Sequence, residues 1–533
     1  MIEKFAEDEF ATEKQSHPFL HLRSRRLHVV LMLMYAYFCM AQISGPIGFT
    51  LSCMCNSTAI ALLNQNKTLE NSTTTPALPL ELLSSTTPKL ISDFEEQNCA
   101  EFDKKPVDYG GDLVWDTEWQ SAVVSATFFG GFLFSYPAGF LVDRFSARHN
   151  LSAAIFILTA AAILMPFLAT TFQAPGAIVS RFFMGVSETL LIPSLNSVVT
   201  KWIPVNEKSL AAAIFTAGNQ LSGIFGNILI AELCASPVFG WSSIFYSASL
   251  FGISWLILWH LTVRNSPHNT KWIHERELDY LANQIPPKHN SVSKKLEVPW
   301  KGMLTSRVFW ALMCNSVVGN MMIALIFIYM PVYFKDVLKL DVKSNGFYSA
   351  IPHLSNLIAK LIWGYVMDML RKKKIMSPTA TCKLSQFTSM MGISVSCFLL
   401  TFVNCNQQTT ALVLLSCISV FFSLSISGFY TALLSIAPSH IGTLTGFGTV
   451  IGFLGRSISP LMMSIFQTEV NGAKVTNWPI ILLAYTFATA FGAIIFVIFA
   501  SAEVQEWDYS KRHKSSRPNA LVAPESEKNL DDF

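Results

Sequence analysis

Long apolar runs are the feature of this sequence that most restricts its fold. A helix needs about 20 apolar residues to cross the hydrocarbon core of a bilayer, and runs of this length recur throughout the 533 residues. They lie near 28–54, 119–141, 151–171, 175–200, 208–232, 241–263, 306–334, 346–369, 384–404, 410–437, 441–467 and 478–501. Only 14% of the residues are charged, whereas a soluble chain usually carries about 25%. The sequence therefore predicts an all-α polytopic membrane protein with about twelve transmembrane helices, a count that short breaks within two of the regions leave open by one.

The distribution of positive charge predicts the orientation of these helices. Cations cluster at residues 21–26, at Arg144 and Arg148, at Lys201 and Lys208, and at 264–307, 371–374 and 511–514. With twelve helices all these clusters fall on one side, and the positive-inside rule places that side and both termini in the cytoplasm. A nucleic-acid patch at 371–374 is the alternative interpretation, but a cytoplasmic helix anchor is the commoner use of such a run. We therefore expect a lipid bilayer as partner and no nucleic acid.

The same pattern predicts how the chain is divided. The expected parts are a cytoplasmic tail at 1–27, a six-helix bundle at 28–263, a cytoplasmic linker at 264–305, a second six-helix bundle at 306–501 and a cytoplasmic tail at 502–533. The linker is charged and rich in proline, and its 272–283 part has the pattern of a short amphipathic surface helix. We interpret it as the hinge region between the bundles.

A long polar loop at about 55–114 falls on the non-cytoplasmic side. It contains three N-x-S/T sequons, at Asn56, Asn66 and Asn71, which are glycosylation acceptors only on that side. A fourth match at Asn150 lies on the cytoplasmic side, where we expect no glycan. Four cysteines map at or beyond the outer membrane surface, so a bridge within that set is open in an oxidising compartment, although its connectivity does not follow from sequence. They are Cys53, Cys55, Cys99 and Cys234.

A short pattern of glycine, three residues, aspartate and then cations ends the second predicted helix of each half. It comprises Gly139, Asp143, Arg144 and Arg148 in the first half, and Gly364, Asp368 and the cations at 371–374 in the second. Parallel six-helix repeats are the organisation of the major facilitator superfamily, so the pattern predicts the major facilitator fold with two pseudo-symmetric bundles. We expect the glycines to let neighbouring helices approach closely and the aspartates and cations to form a cytoplasmic gate. Ordinary helix-end anchors are the simpler alternative.

Further motifs carry a resemblance to one family. They include Phe129-Gly130, Arg181-Phe-Phe-Met-Gly185 through Glu188 to Pro193, Trp202-Ile-Pro204, Gly240-Trp241, Pro331-Val-Tyr-Phe334, Ile436-Ala-Pro438 and Phe499-Ala-Ser-Ala-Glu503-Val-Gln505-Glu-Trp507. From about Trp115 to Trp507 the chain resembles the sodium–phosphate and vesicular anion transporter family (solute carrier family seventeen), which includes sialin and the vesicular glutamate transporters. The resemblance implies transport of a small anion.

The chain departs from this family at positions that bear on anion binding. Relatives carry an arginine in the first helix, where this chain reads Ile-Ser-Gly-Pro-Ile at 43–47. The vesicular glutamate carriers also have an arginine in helix seven, near Gly319 here, and a histidine in helix four where this chain has Asn196. In helix ten, Ala432 and Ser435 replace the family's asparagine and aspartate.

Four ionisable residues stand out inside the predicted helices: Arg181, Glu188, Lys360 and Arg456. A charge at bilayer depth costs roughly 2.5–3.5 kcal/mol on insertion scales, so each is a functional candidate. Arg181 and Glu188 are seven residues apart, hence on one helix face and about 10 Å apart along the axis, so we expect a solute, water or another partner between them. Glu188 is the candidate proton-coupling group; its simpler alternative is a buried hydrogen-bonded carboxyl. Arg456 replaces the small residue usual in relatives, and we expect it to bind the anion together with Arg181. The full set of expected substrate-binding residues is Arg181, Arg456, Lys360, His353 and Gln220.

The simpler alternatives for the cations are structural. Arg181 and Arg456 can serve as buried charges that only pair or pack with polar neighbours, and Lys360 can snorkel toward the headgroups. His353 and Gln220 are weaker candidates, expected as polar lining.

Together these features favour a secondary active transporter that moves a small organic or inorganic anion by alternating access, coupled to H⁺ or Na⁺. We expect no cofactor, a functional monomer, and residence in the plasma membrane or an intracellular vesicle membrane. A transport-inactive sensor or scaffold is the alternative. A membrane-embedded enzyme is third, since the sequence has no P-loop, nucleophile elbow or metal-ligand spacing.

Overall fold

Twelve long helices dominate the computed structural model of the chain. It describes residues 21, 23–60, 62, 108–204, 208–264, 267, 273–284, 299–373, 375–437, 441–470 and 473–508. Seven of the helices run as single segments: α2 (Thr117–Arg144), α3 (Ala147–Thr171), α4 (Gln173–Trp202), α6 (Ser242–Thr262), α8 (Val342–Lys372), α9 (Pro378–Leu400) and α12 (Trp478–Phe499). An eighth, α11 (Ile441–Ile465), is also continuous.

The other four helices are interrupted. They are α1 (Arg25–Ser44, Ile47–Met54), α5 (Lys208–Leu221, Ser222–Gly226, Asn227–Ala235), α7 (Arg307–Ala324, Leu325–Tyr329, Met330–Asp336) and α10 (Gln408–Ser425, Ile426–Tyr430, Thr431–Ser435). In α1 the break falls at Gly45-Pro46, where proline cannot donate the helical hydrogen bond. In α5, α7 and α10 the middle segment is a π-helical turn, a feature frequent at functional sites.

Eight of the twelve helices are long and apolar enough to cross a membrane by length and composition alone. The remaining four in the described part are α2, α8, α9 and α11. Three of these, α2, α8 and α11, pack at the boundary between the halves. The predicted all-α membrane architecture is confirmed.

The helices pack as two groups of six, named here the N half (α1–α6) and the C half (α7–α12). In the N half, α4 packs against α2 and α3, and Gly185 lies so close to α2 that a Cβ there would overlap the Thr127 carbonyl oxygen. In the C half, α9 packs against α10 and α12, and α7 against α11. Across the halves, α2 meets α11 and α5 meets α8.

A short helix (Glu275–Gln284) lies in the segment between the halves, close to the amphipathic helix predicted at 272–283. It is held against the start of α1 by the Glu277 carboxylate, which accepts hydrogen bonds from Ser24 Oγ at 3.0 Å, the Arg25 backbone N–H at 3.0 Å and Arg26 Nε at 3.1 Å. The Arg26–Glu277 pair is almost fully buried. The connecting segment is therefore fastened to the N half at this point.

The helix ends define two faces. The end of α1 is joined to the end of α5 by a disulfide between Cys53 and Cys234, which confirms a bridge within the predicted set and leaves Cys55 as a free buried thiol. We call this the disulfide face. The opposite one, the terminus face, holds the Arg26–Glu277 pair and the end of α12. Beyond α11, strands β1 (Gln467–Val470) and β2 (Ala473–Thr476) form an antiparallel hairpin on the disulfide face, with Gln467 opposite Thr476.

Candidate functional site

Near the middle of the helices the halves are joined by an ion pair between Glu188 of α4 and Arg456 of α11. The Nη1 atom of Arg456 lies 3.6 Å from Oε2 of Glu188, and the two side chains are 23% and 9% exposed. Removing one charge from such a shielded pair leaves the other uncompensated. The pair therefore links the state of Glu188 to the contact between the halves.

Arg456 is held in its orientation by α7. Its Nε donates to Asn320 Oδ1 at 3.0 Å, and Asn320 in turn donates to the Ser316 carbonyl oxygen at 2.8 Å. The guanidinium lies 5.6 Å from the centre of the Phe453 ring. Glycines make this packing possible, since a Cβ at Gly455 would come within 2.6 Å of the Val317 carbonyl oxygen.

Arg181 lies on the same side of α4 as Glu188 but nearer to the disulfide face of the molecule. It is 1% exposed. Its Nη2 donates to the Ser44 carbonyl oxygen at 3.2 Å and its Nη1 contacts Met184 Sδ at 3.4 Å. The Nε atom has no hydrogen-bond partner among the described residues. The direct contacts of the buried Arg181 guanidinium are therefore neutral groups. Glu188 acts on it electrostatically, without a hydrogen bond between them in the described structure.

We name Arg181, Glu188, Arg456, Asn320 and Tyr37 the central site. The Tyr37 hydroxyl on α1 interacts electrostatically with both Glu188 and Arg456. Within this set two guanidinium groups oppose one carboxylate, so the described charges leave one positive charge uncompensated. A buried positive charge of this kind favours binding of an anion.

Lys360 and Gln220 bridge the halves between α5 and α8. The Lys360 ammonium donates to Thr216 Oγ1 at 3.0 Å, and none of the described salt bridges includes it. Gln220 Nε2 donates to Asn356 Oδ1 at 3.3 Å, while its own Oε1 has no described partner. Lys360 therefore adds a further positive charge at the boundary between the halves.

His353 is buried among apolar groups and is not an open lining residue in this state. It is 2% exposed, its ring centre lies 4.6 Å from that of Phe327, and it fills the space that a Cβ at Gly223 would need. With Ser222 and Asn227 it borders a small cavity between α1, α5, α7 and α8. Its place at the contact between the halves means that it becomes accessible only if that contact opens.

The disulfide face contains a cluster that sequence reasoning missed. Tyr109, from the chain before α2, donates to the Leu340 carbonyl oxygen at 2.8 Å and accepts from Asn345 Nδ2 at 3.0 Å. In the opposite direction, Lys335 of α7 donates to the Ser52 carbonyl oxygen at 3.2 Å and to Ser57 Oγ at 2.8 Å, with its ammonium 4.8 Å from the centre of the Tyr109 ring. We call Tyr109, Lys335 and Asn345 the latch. Its one available sequence signal was a lysine directly after the apolar run at 306–334.

Comparison of the sequence with known families decides to which family the chain belongs. The family model of the Major Facilitator Superfamily matches residues 67–460. The chain belongs to the major facilitator superfamily.

Three relatives place this major facilitator within the solute carrier family seventeen. It is 35% identical to "Uncharacterized transporter slc-17.3" of Caenorhabditis elegans over 92% of this chain and 90% of that protein. It is 27% identical to sialin of Homo sapiens over 75% of this chain and 79% of that protein, and 28% identical to vesicular glutamate transporter 3 of Danio rerio over 74% and 66%. The family resemblance is confirmed, and the chain is an integral membrane transporter of small solutes, not an enzyme.

Solved structures confirm the fold. An inward-open structure of the xylose transporter XylE from E. coli matches with a TM-score of 0.59 at 13% identity, covering 92% of this chain and 98% of that one. A D-xylose-proton symporter matches with a TM-score of 0.62 at 14% identity, covering 90% and 99%. At this identity the likeness concerns the major facilitator fold alone.

The two gate motifs of this major facilitator lie at the terminus face. The side chains of Asp143, Arg144 and Asp368, and Gly139, lie outside the described residues, so the predicted charge pair stays a prediction. Arg148 Nη2 donates to the His260 carbonyl oxygen at 3.2 Å, which fastens α3 to α6. At Gly364 the expected close approach is wrong, because an added Cβ would meet nothing within 4 Å.

Proposed function

We propose that this transporter moves a small organic anion by alternating access, with the proton gradient as driving force and Glu188 as the proton-responsive group. The observation that carries the proposal is the charge balance of the central site. Arg181 is almost fully buried with neutral direct partners, and the carboxylate of Glu188 stands against two guanidinium groups. An anionic solute would supply the missing negative charge.

The positions of the arginines support an anion site. Arg181 donates to Ser44, within the stretch where relatives carry the first-helix arginine. Arg456 bonds Asn320, next to Gly319, near which the vesicular glutamate carriers carry their helix-seven arginine. A Cβ at Gly319 would meet nothing within 4 Å, so there is room at this place for a guanidinium that enters from α11.

The vesicular glutamate transporters and sialin among the relatives make an organic anion the first class to test. A sodium gradient is the alternative driving force. The remaining parts of the proposal are a functional monomer with both termini in the cytoplasm, resident in the plasma membrane or a vesicle membrane, and glycosylated at the predicted sequons.

Flux into proteoliposomes tests this function. The purified protein is reconstituted, and uptake of labelled glutamate, lactate, benzoate and inorganic phosphate is measured under imposed pH and sodium gradients. We expect at least one organic anion to accumulate when the pH gradient is imposed, and Arg181→Gln to abolish this. No gradient-driven uptake of any anion, with binding retained, would favour the sensor alternative; uptake that follows only the sodium gradient would replace the coupling ion.

A further inference from the structure

Polar side chains pair in two steps along the contact between α5 and α8. In the first step Lys360 Nζ of α8 donates to Thr216 Oγ1 of α5 at 3.0 Å. In the second step Gln220 Nε2 of α5 donates to Asn356 Oδ1 of α8 at 3.3 Å. The two residues of each helix are four positions apart, hence on one face of that helix. We call these four residues the α5–α8 ladder.

The ladder keeps hydrogen-bonding capacity that protein groups do not use. An ammonium has three N–H donors, and the described hydrogen bond of Lys360 takes one of them. The buried Oε1 atom of Gln220 has no hydrogen-bond partner among the described residues. Asn356 Nδ2 donates to the Ser419 carbonyl oxygen of α10 at 2.7 Å, and the Ser419 hydroxyl also has no described partner. Since an unmade buried hydrogen bond is costly, these groups favour a further ligand.

The positive charge of Lys360 has no described counter-charge. None of the described salt bridges includes it, and no charged side chain in the described part of the chain acts on it electrostatically. Its ammonium donates across the boundary to α5, which differs from a side chain that snorkels to the headgroups. The central site and Lys360 together contain three cations and one carboxylate. Two positive charges therefore lack a described negative partner.

Aromatic side chains connect Lys360 to the central site. The Tyr37 hydroxyl interacts electrostatically with Arg456, and the Tyr37 ring centre lies 6.3 Å from that of Phe215 on α5. Phe215 directly precedes Thr216, which accepts the hydrogen bond from Lys360. The two cationic places are thus joined through two neighbouring rings at the boundary between the halves. A short, flexible solute with an acid group at each end suits this arrangement.

We propose that Lys360 and the α5–α8 ladder form a second anion subsite, and that the transported solute is a dianion with an acid group at each end. This inference rests on the proposed function and names the substrate class of that transporter. One carboxylate binds at the arginines of the central site, and the other accepts the remaining N–H donors of Lys360. A water molecule beside the second carboxylate donates to Gln220 Oε1.

Charge balance is the reason for a dianion. A cation shielded from water is stabilised by an anionic partner and destabilised when left alone. A solute with one carboxylate leaves either Lys360 or the central site without its partner, whereas a solute with two carboxylates serves both. The second carboxylate should therefore strengthen binding, and this gain should depend on Lys360.

Pairs of acids with equal chain length test the subsite. Glutarate and valerate differ by one terminal carboxylate, and succinate with butyrate and adipate with hexanoate extend the series. The purified protein is titrated with each sodium salt at about pH 7, where both carboxyl groups are ionised, against sodium chloride of equal ionic strength. Melting temperature measures binding. We expect at least one dicarboxylate to have an apparent Kd at least tenfold lower than that of its monocarboxylate.

Variants of Lys360 assign this preference to the ladder. Lys360→Met keeps the unbranched stem and removes the charge, so the dicarboxylate Kd should rise at least tenfold while the monocarboxylate Kd stays unchanged. Lys360→Gln should act in the same way and replaces Lys360→Met if that variant does not fold. Lys360→Arg keeps the charge and should keep the preference. The matched control is Lys343→Met on the same helix, where the ammonium pairs with Glu232 at 3.1 Å and both side chains are more than half exposed. It should bind as the wild type does.

Two binding results would overturn the subsite. One is a wild type without dicarboxylate preference at any chain length, and the other is a preference that persists in Lys360→Met and Lys360→Gln. Uptake of labelled glutarate into proteoliposomes tests the proposed function separately. Preferential glutarate binding without uptake of any anion refutes transport and leaves the subsite standing. Anion uptake that valerate inhibits as strongly as glutarate, with the same result for the other two pairs, refutes the subsite and leaves transport standing.

Discussion

At the scale of single residues, the central site depends on what a guanidinium can do and an ammonium cannot. Arg456 contacts α7 through Nε and α4 through Nη1 at the same time. Arginine has five donors in a rigid planar fork, whereas lysine has one nitrogen on a flexible stem. The sequence shows a charged residue near the middle of α11. The two contacts of Arg456 explain why this residue is an arginine.

Arg456→Lys should therefore weaken anion uptake although the charge is kept. Loss of one charge-assisted hydrogen bond costs about 1.5–3 kcal/mol, which corresponds to a KM increase of about tenfold or more. Arg456→Gly should nearly remove uptake while the protein stays in the membrane. Initial rates against anion concentration, normalised to reconstituted protein, measure both effects. A wild-type KM for Arg456→Lys would show that Arg456 is a packing residue.

At the scale of helices, small residues decide how closely α2, α4, α7 and α11 approach. Gly185 of α4 faces the Thr127 carbonyl oxygen of α2, and Gly455 of α11 faces that of Val317 in α7. These backbone contacts set the positions of Glu188 and Arg456, which lie only a turn or less away along the same helices. Gly364, by contrast, has open space at its Cβ position.

Gly185→Ala and Gly364→Ala form a matched pair of variants on this point. Because backbone atoms cannot turn aside, Gly185→Ala should force α2 and α4 apart at a cost of about 1–3 kcal/mol, seen as a lower melting temperature. Gly364→Ala should leave the melting temperature unchanged or raise it, since alanine favours a helix over glycine by about 1 kcal/mol. If thermal unfolding of the two variants in lipid nanodiscs is indistinguishable, close approach at Gly185 does not determine stability.

At the scale of the whole molecule, the described contacts close the disulfide face. The latch ties Tyr109 to α7–α8 and Lys335 to the end of α1. Closure is completed by Gly48, where a Cβ would overlap the Ile328 carbonyl oxygen, and by Gly346, where it would overlap the Ala231 side chain. Because the latch joins the two halves only while this face is closed, weakening it should favour the state open at this face.

Tyr109→Phe should open the disulfide face more often, and the native Cys55 reports it. Burial raises the pKa of the Cys55 thiol to about 12, against a smaller lowering by Lys335, so the closed state contains almost no thiolate at about pH 8. Exposure returns the pKa toward its ordinary value of about 8.5, and the thiolate then reacts. We expect several-fold faster labelling by a membrane-impermeant maleimide applied at this face.

Two variants control this measurement. Cys55→Ser in the Tyr109→Phe background should remove the added signal, and Tyr246→Phe, a hydroxyl deletion at a half-exposed position, should label at the wild-type rate. Unchanged labelling of Tyr109→Phe would mean that its two hydrogen bonds do not hold the face closed.

The orientation of the molecule is tested by its sequons. Asn56, Asn66 and Asn71 should carry glycans. Asn150 should not, and its side chain is also engaged, with Nδ2 donating to the Leu141 carbonyl oxygen at 3.0 Å. Asn56 is partly exposed and begins a helical turn by accepting from the Ala59 N–H, whereas Asn66 and Asn71 lie outside the described residues. Glycosidase-sensitive mobility of single sequon variants measures this, and a shift that depends on Asn150 would reverse the orientation.

Much of the fold is a local property of the sequence, and that part was predictable. Eight of the membrane helices follow from a run of apolar residues whose length matches the bilayer, and the break in α1 follows from Gly45-Pro46. The site candidates Arg181, Glu188 and Arg456 were identifiable because a charge in such a run is costly unless it has a use. Hairpin β1–β2 was missed, since its short polar strands carry no periodic apolar signal.

The partners of those charges were decided only by the tertiary structure. Helical spacing indicated that Arg181 and Glu188 share a face of α4, but not that Arg181 reaches Ser44 of α1 while Glu188 reaches Arg456 of α11. Likewise, Tyr109 has no local signal that would connect it to Leu340 and Asn345. The physical reason is that helix formation depends on neighbours three or four residues apart, whereas the docking of the two halves depends on shape and charge brought together from distant parts of the chain. Sequence determined which residues carry charge at membrane depth; only the packing of the halves determined which of them meet.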